Sequence, residues 1–115
     1  MFGHEKFKAY QHAINFVALA TTLIESLNKG NAHLVDQLRR ASISIPLNIA
    51  EGSGKITERD KVKYYAIARG STMECAAILD ILQKTGAVEL AQIEKPKRIL
   101  SEVAGILSKV CLNSK

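Results

Sequence analysis

The stretch 42-SISIPLNIAEGSGK-55 decides the fold, because its apolar residues follow two periods at once. Ile43, Ile45, Leu47 and Ile49 fall on every second position, the signature of a half-buried strand. At about 100° per residue, Ile45 and Ile49 instead continue a side begun upstream by Leu34, Leu38 and Ala41. Ile43, Leu47 and Ala50 then fall on a second, nearly opposite side. A strand would have to start abruptly out of 34-LVDQLRRA-41, whose pattern is helical. Pro46 is costly either way, removing a ladder bond from a sheet or one backbone bond from a helix, which it kinks. Upstream continuity tips the reading to a helix kinked at Pro46, with the Ser42 hydroxyl in reach of the Ser42 carbonyl that the proline leaves free.

Upstream of this helix, Phe7, Tyr10, Ile14, Val17, Thr21, Ile24 and Leu27 recur at steps of three and four, a helical stripe over roughly Glu5 to Lys29. Gly30 suits a left-handed C-cap there, and Asn31 suits the cap of the next helix. Downstream, Gly52-Ser53-Gly54-Lys55 breaks the helix. It is not a phosphate loop, because Ile49 stands where the first glycine belongs, Ile56 follows the lysine, and no strand precedes it.

Thr57 with an acid three positions on, Asp60, opens a third helix that Thr85-Gly86 closes. Its seam is Tyr64, Ala68, Ser71, Cys75, Ile78 and Leu82, and 75-CAAILDIL-82 is apolar nearly all round. The fourth segment, Ala87 to about Leu112, carries Ile99, Val103, Ile106, Leu107 and Val110; Pro96 either kinks it or marks the first turn after a short lead-in helix. With short loops and no repeats, the chain reads as all-α: one domain over residues 1–115, an up-and-down antiparallel four-helix bundle. The second and third helices carry more apolar surface than one such core covers, which points to subunit contacts.

Composition agrees: 115 residues, 47% hydrophobic, 5% aromatic and no Trp, so aliphatic side chains must fill the interior. The net charge of +5 favours anionic partners. Cys75 and Cys111 lack a CxxC spacing and read as buried free thiols. Lys6 and Lys8 before 16-FVALA-20 loosely mimic a signal peptide, but Asn15, Thr21 and Thr22 interrupt the run, and no apolar run reaches the ~20 residues of a membrane span. A cytoplasmic protein with no membrane partner is expected.

No catalytic set emerges. His4, His12 and His33 show no ligand spacing, and no Glu-x-x-His pair of a di-iron bundle is present, so neither an enzyme nor a cofactor or metal is expected. What stands out is a polar set on apolar helices: Arg39, Arg40, Ser44, Asn48 and Glu51, then Arg69, Gly70, Ser71 and Glu74. Glu51 sits at a helix C-terminus, where the dipole disfavours an anion, so Lys55 or Arg59 should pair with it. Folding the chain back at 52–56 brings Arg40 and Arg69 to one level, where Asp36 and Glu74, a bound phosphate or a partner's carboxylate would neutralise them. Mid-helix Gly70 points to a close helix approach. The runs 59-RDKVK-63 and 95-KPKR-98 contribute Arg59, Lys61, Lys63, Lys95, Lys97 and Arg98, which together with Lys6 and Lys8 are candidates for a cationic surface that contacts phosphates. Stacking aromatics are scarce by this reading, making RNA or DNA binding electrostatic and weakly sequence-selective.

The blocks 37-QLRRASISIPLNIAEGSGK-55 and 66-AIARGSTMECAAILDIL-82 resemble the four-helix-bundle protein family encoded in intervening sequences of bacterial 23S rRNA genes. The family's RRA…SIPxNIAEG block is matched by Arg39-Arg40-Ala41, Ser44-Ile45-Pro46 and Asn48 to Gly52. Its ARGSxxE block is matched by Ala68 to Ser71 with Glu74. The resemblance covers essentially the whole chain and implies an all-helical bundle that assembles as a homopentamer. It departs at Pro96, where the family usually reads as unbroken helix. The family is also similar to the accessory subunit of diversity-generating retroelements, a basic, barrel-like pentamer that binds nucleic acid and a reverse transcriptase. The expected function is therefore a non-enzymatic homo-oligomer that binds RNA or DNA through a basic surface, as an accessory subunit. The alternative is a protein-interaction or scaffold module that binds no nucleic acid.

Overall fold

Four helices form where the apolar periods lie, and the computed structural model describes residues 2–113 of them and their connections. They are α1 (Lys8–Glu25), α2 (Ala32–Ser53), α3 (Glu58–Lys84) and α4 (Leu90–Asn113), with short 3-10 turns at Gly3–Lys6 and Lys29–Asn31. No strand occurs among the described residues. The ends of the expected domain, residues 1, 114 and 115, lie outside them.

Side-chain pairs fix the directions. Ser53 meets Tyr65 while Ser44 meets Ser71, so α2 and α3 run antiparallel. Arg69 meets Ser108 and Asp80 meets Lys97, which sets α4 antiparallel to α3. His12 meets Glu102 on α4, and Leu23 lies beside Gln92, so α1 and α4 are antiparallel as well. Among the described residues each helix packs closely on two neighbours, in the cyclic order α1–α2–α3–α4, and the backbones of the diagonal pairs stay apart. The result is the up-and-down bundle, about twice as long as it is wide, at 44 × 24 × 21 Å.

Both prolines lie inside their helices. α2 runs unbroken through Pro46, and α4 takes Pro96 at its seventh position rather than starting there. The Ser42 hydroxyl donates to the Arg39 carbonyl at 3.0 Å, not to its own. Thr57 caps α3, its hydroxyl accepting from the Asp60 amide at 3.2 Å, and Gly86 ends the helix with φ +82°.

The core differs from the expected stripes in one instructive way. α1 buries Ala9, Ala13, Phe16, Ala20, Leu23 and Ile24, whereas Ile14 and Thr21 face outward. Apart from Phe16, the deepest positions of α1 are small alanines, which let it pack closely on its neighbours. α4 likewise centres on Ile93, Leu100, Val103 and Leu107, with Ile99, Ile106 and Val110 only half-buried. α1 also ends at Glu25, and Gly30, far from a left-handed cap, sits inside the 3-10 turn that Asn28 caps. Asn31 donates to the Asn28 side chain instead of capping α2.

Gly52 does not break α2 but lies within it. A Cβ there would stand 2.8 Å from the Tyr65 ring and 3.1 Å from the Lys61 carbonyl. Glycine is what allows α3 to approach the end of α2. At Gly70 the opposite holds: a Cβ would meet nothing within 4 Å, so no helix of this chain approaches there.

Candidate functional site

The α2–α3 seam holds a polar line built on helical spacing. Ser44 and Ser71 face each other with their hydroxyls hydrogen-bonded at 2.8 Å. One turn on, the Asn48 amide donates to both the hydroxyl and the carbonyl of Ser44, each at 2.9 Å. A cleft of about 200 Å³ opens beside this line, bounded by Gln37, Arg40, Ala41, Ser44, Ser71 and Glu74. Arg40 and Glu74 are both exposed, and among the described residues neither belongs to an ion pair. Two opposite charges thus flank a floor of hydroxyls without neutralising each other. Such a cleft suits a group that carries both a donor and an acceptor.

The structure gathers only part of the expected set here: Arg40, Ser44, Asn48, Ser71 and Glu74. Arg69 points the other way, its Nε donating to the Ser108 hydroxyl on α4. The expected Arg40–Arg69 layer therefore does not form; α3 turns Arg69 and Ser71 to different neighbours because two residues span about 200° of helix. Glu51 pairs with Lys55 at 3.2 Å, one turn on, and that contact raises the Lys55 ammonium above its ordinary range. Arg39 is exposed, as is Asp36, which neutralises neither arginine. Gln37 was not singled out by the sequence, although it lies three residues before Arg40 and seven before Ser44 on the same stripe.

The basic candidates divide between the two ends of the bundle. Lys6 and Lys8 precede or open α1, and Arg59, Lys61 and Lys63 lie in the first two turns of α3, at the same end. Lys61 donates to the Ser53 carbonyl at 3.1 Å, and the other four are exposed. Lys95, Lys97 and Arg98 sit near the start of α4, at the opposite end, where Lys97 pairs with Asp80. The antiparallel topology thus divides the eight candidates, five at one end and three at the other. The first end is also aromatic. Of the six Phe and Tyr residues, Phe2, Phe7, Tyr10, Tyr64 and Tyr65 lie there, Tyr65 buried, and Phe16 lies further into the core. The Lys55 ammonium stands 5.0 Å from the centre of the Tyr64 ring.

Apolar residues remain uncovered on two sides. A groove of about 230 Å³ between α1 and α2 is walled by Tyr10, Ile14, Val17, Ile43, Leu47 and Ala50, over Pro46. Ile67, Met73 and Ile81 are exposed on α3. Cys75 is fully buried, and burial pushes its thiol up to about 12; Cys111 is half-buried. Among the described residues no three of His, Cys, Asp and Glu come together as a metal site. Among the described residues no helix is long and apolar enough to cross a membrane.

Comparison with known proteins follows the same lines. The sequence matches the family described as 23S rRNA-intervening sequence protein over residues 5–109. A solved structure from Bacteroides thetaiotaomicron, a protein of unknown function from the S23 ribosomal protein family, has the same fold. It superposes with a TM-score of 0.83 at 20% identity, covering 90% of this chain and 97% of its own. No curated protein matches.

Proposed function

This chain belongs to the 23S rRNA-intervening sequence protein family, and from that premise we propose that it is a non-catalytic, self-associating bundle that binds RNA or DNA through its basic, aromatic end. The observation that carries the reading is the convergence of Lys6, Lys8, Arg59, Lys61 and Lys63, from two separate segments, on one end of the bundle. Cations brought together in this way release counterions from a phosphate backbone more effectively than the same charges scattered. Self-association is supported by the apolar groove of α1 and α2 and by the exposed apolar residues of α3. Five subunits and a reverse transcriptase as protein partner are what the resemblance to the family and to the retroelement accessory subunit implies; a cytoplasmic setting is what the sequence reading suggests, with no apolar run of membrane-span length.

The test is a titration of fluorescent RNA at several salt concentrations, with light scattering on the same sample. Micromolar or tighter binding is expected, with a log–log slope of about −0.7 per phosphate contacted on a single strand. Absence of binding at low salt overturns the reading. A second reading, a protein-docking module, draws on the cleft where Arg40 and Glu74 stand unpaired. It is favoured if a pull-down recovers one stoichiometric protein and no nuclease-sensitive material.

A further inference from the structure

The basic end carries a ring that no interaction within the chain requires. Phe2 is 74% exposed, yet it is held in place. Its backbone N–H donates to the Glu5 carboxylate at 3.0 Å, and its ring stacks on His4 with centroids 5.9 Å apart and planes 14° from parallel. His4 in turn meets the Tyr10 ring edge-on at 4.6 Å, which anchors the stack to the first turn of α1. Phe2 is therefore backed by one ring, His4, which Tyr10 holds from behind.

A supported ring beside a hollow is what a planar ligand needs. Next to Gly3, a hollow of about 300 Å³ is bounded by Phe7, Ser53, Lys61, Tyr65 and Val110. Lys6 and Lys8 follow the ring along the chain, in and just after the 3-10 turn that begins at Gly3, and the α3 cations come from the same end of the bundle. Glu5 is taken up as the cap of the 3-10 turn, and cations outnumber acids at this end. We propose that Phe2, backed by His4, which Tyr10 in turn anchors, is a stacking platform for unpaired bases, so that the ligand is single-stranded nucleic acid whose phosphates meet Lys6, Lys8, Arg59 and Lys63. The inference rests on the nucleic-acid reading above and narrows it. Duplexes hide the faces of their bases, so a ring of this kind discriminates for single strands, whereas lysines alone do not. Because the platform is already ordered, little rotamer freedom is lost on binding.

Anisotropy titrations of wild type, Phe2→Ala, Phe2→Tyr and Lys6→Ala/Lys8→Ala decide the matter. The probes are a labelled RNA strand of about 12 nucleotides, a length typical of a single-strand-binding domain's site, and the blunt duplex of the same sequence. Wild type is expected to prefer the strand. Phe2→Ala weakens strand binding by roughly 5- to 100-fold with an unchanged salt slope, and duplex binding by less than about twofold. Phe2→Tyr, which keeps the ring, retains strand affinity. The double lysine variant weakens both ligands and flattens the salt slope. Phe2→Ala binding the strand like wild type, while the lysine variant fails, overturns the platform and leaves the electrostatic reading standing. If wild type binds neither probe at low salt, both fall.

Discussion

Helix α2 carries two apolar faces of nearly the same chemistry, and the bundle treats them oppositely. Leu38, Ala41, Ile45 and Ile49 are buried against the other helices, whereas Ile43 and Leu47 remain 48% and 62% exposed on the far side. The difference lies in the number of neighbours rather than in the residues. A helix in a four-membered ring touches two others, which cover one stripe, and a second stripe can be covered only from outside the chain. Inner-face residues are therefore expected to govern folding, and outer-face residues assembly.

The largest expected effect tests the inner face. Ile45→Ala removes a fully buried branched side chain and should cost about 2–5 kcal/mol in denaturant unfolding. A loss under ~1 kcal/mol would erase the contrast between the faces. The Cys75 thiol, fully buried on α3, gives a pH handle on the same core. Its folded pKa, raised to about 12 by burial, exceeds the ordinary 9.0. The unfolded chain thus loses this proton first as pH rises. The contribution is complete below pH 9 and declines between the two values, by up to about 1.4 kcal/mol per pH unit. Alkaline unfolding of wild type should be steeper than that of Cys75→Ala. Parallel curves would place the thiol in contact with water.

Gly52→Ala probes a third direction on α2, towards α3. The added methyl would stand 2.8 Å from the Tyr65 ring. Displacing a ring that is 7% exposed and bonded to Ser53 should cost about 1–3 kcal/mol, read as a lower melting temperature. Gly70→Ala, in open space, should instead raise stability by up to about 1 kcal/mol, unless a second copy approaches there. On the outer face, Leu47→Asp should shift light scattering towards the monomer while changing protomer unfolding by less than ~1 kcal/mol. A monomeric wild type would leave the outer face without its expected cover.

The helices and their order were legible because the apolar period of α2 continues across Pro46 and because Thr57 and Gly86 are strong end signals. The resemblance of 37–55 and 66–82 to a known family added the bundle as a whole, and the family match over residues 5–109 agrees with it. The centre of each stripe was less legible, since a one-dimensional pattern weights size, and close packing at Ala9, Ala13 and Ala20 rewards smallness. Gly52 read as a stop because sequence cannot distinguish a glycine needed for its backbone from one needed for the ring beside it. The polar set was legible as types but not as partners. Arg69 and Ser71 are two residues apart, and only the placement of α4 decides which of them faces α2. Aromatic clustering at the basic end was hidden altogether, because Phe2 and Tyr65 are far apart along the chain.

The smallest expected effect concerns the α2–α3 cleft, where charge rather than apolar surface is left uncovered. A glutamate pairing with a buried arginine would be expensive to remove, at about 3–5 kcal/mol, because the arginine would remain buried alone. Glu74 is not in that situation: it is exposed, and no ion pair among the described residues includes it. Glu74→Ala should therefore change the unfolding free energy of the isolated chain by no more than about 0.5 kcal/mol, as should Arg40→Ala. The same variants measured at rising protein concentration separate two meanings of that small number. If both remain neutral throughout, the cleft is solvated. If both become costly only at concentrations where the chains associate, Arg40 and Glu74 meet their counterparts on a neighbour, and the cleft belongs with the outer face of α2 rather than with its core.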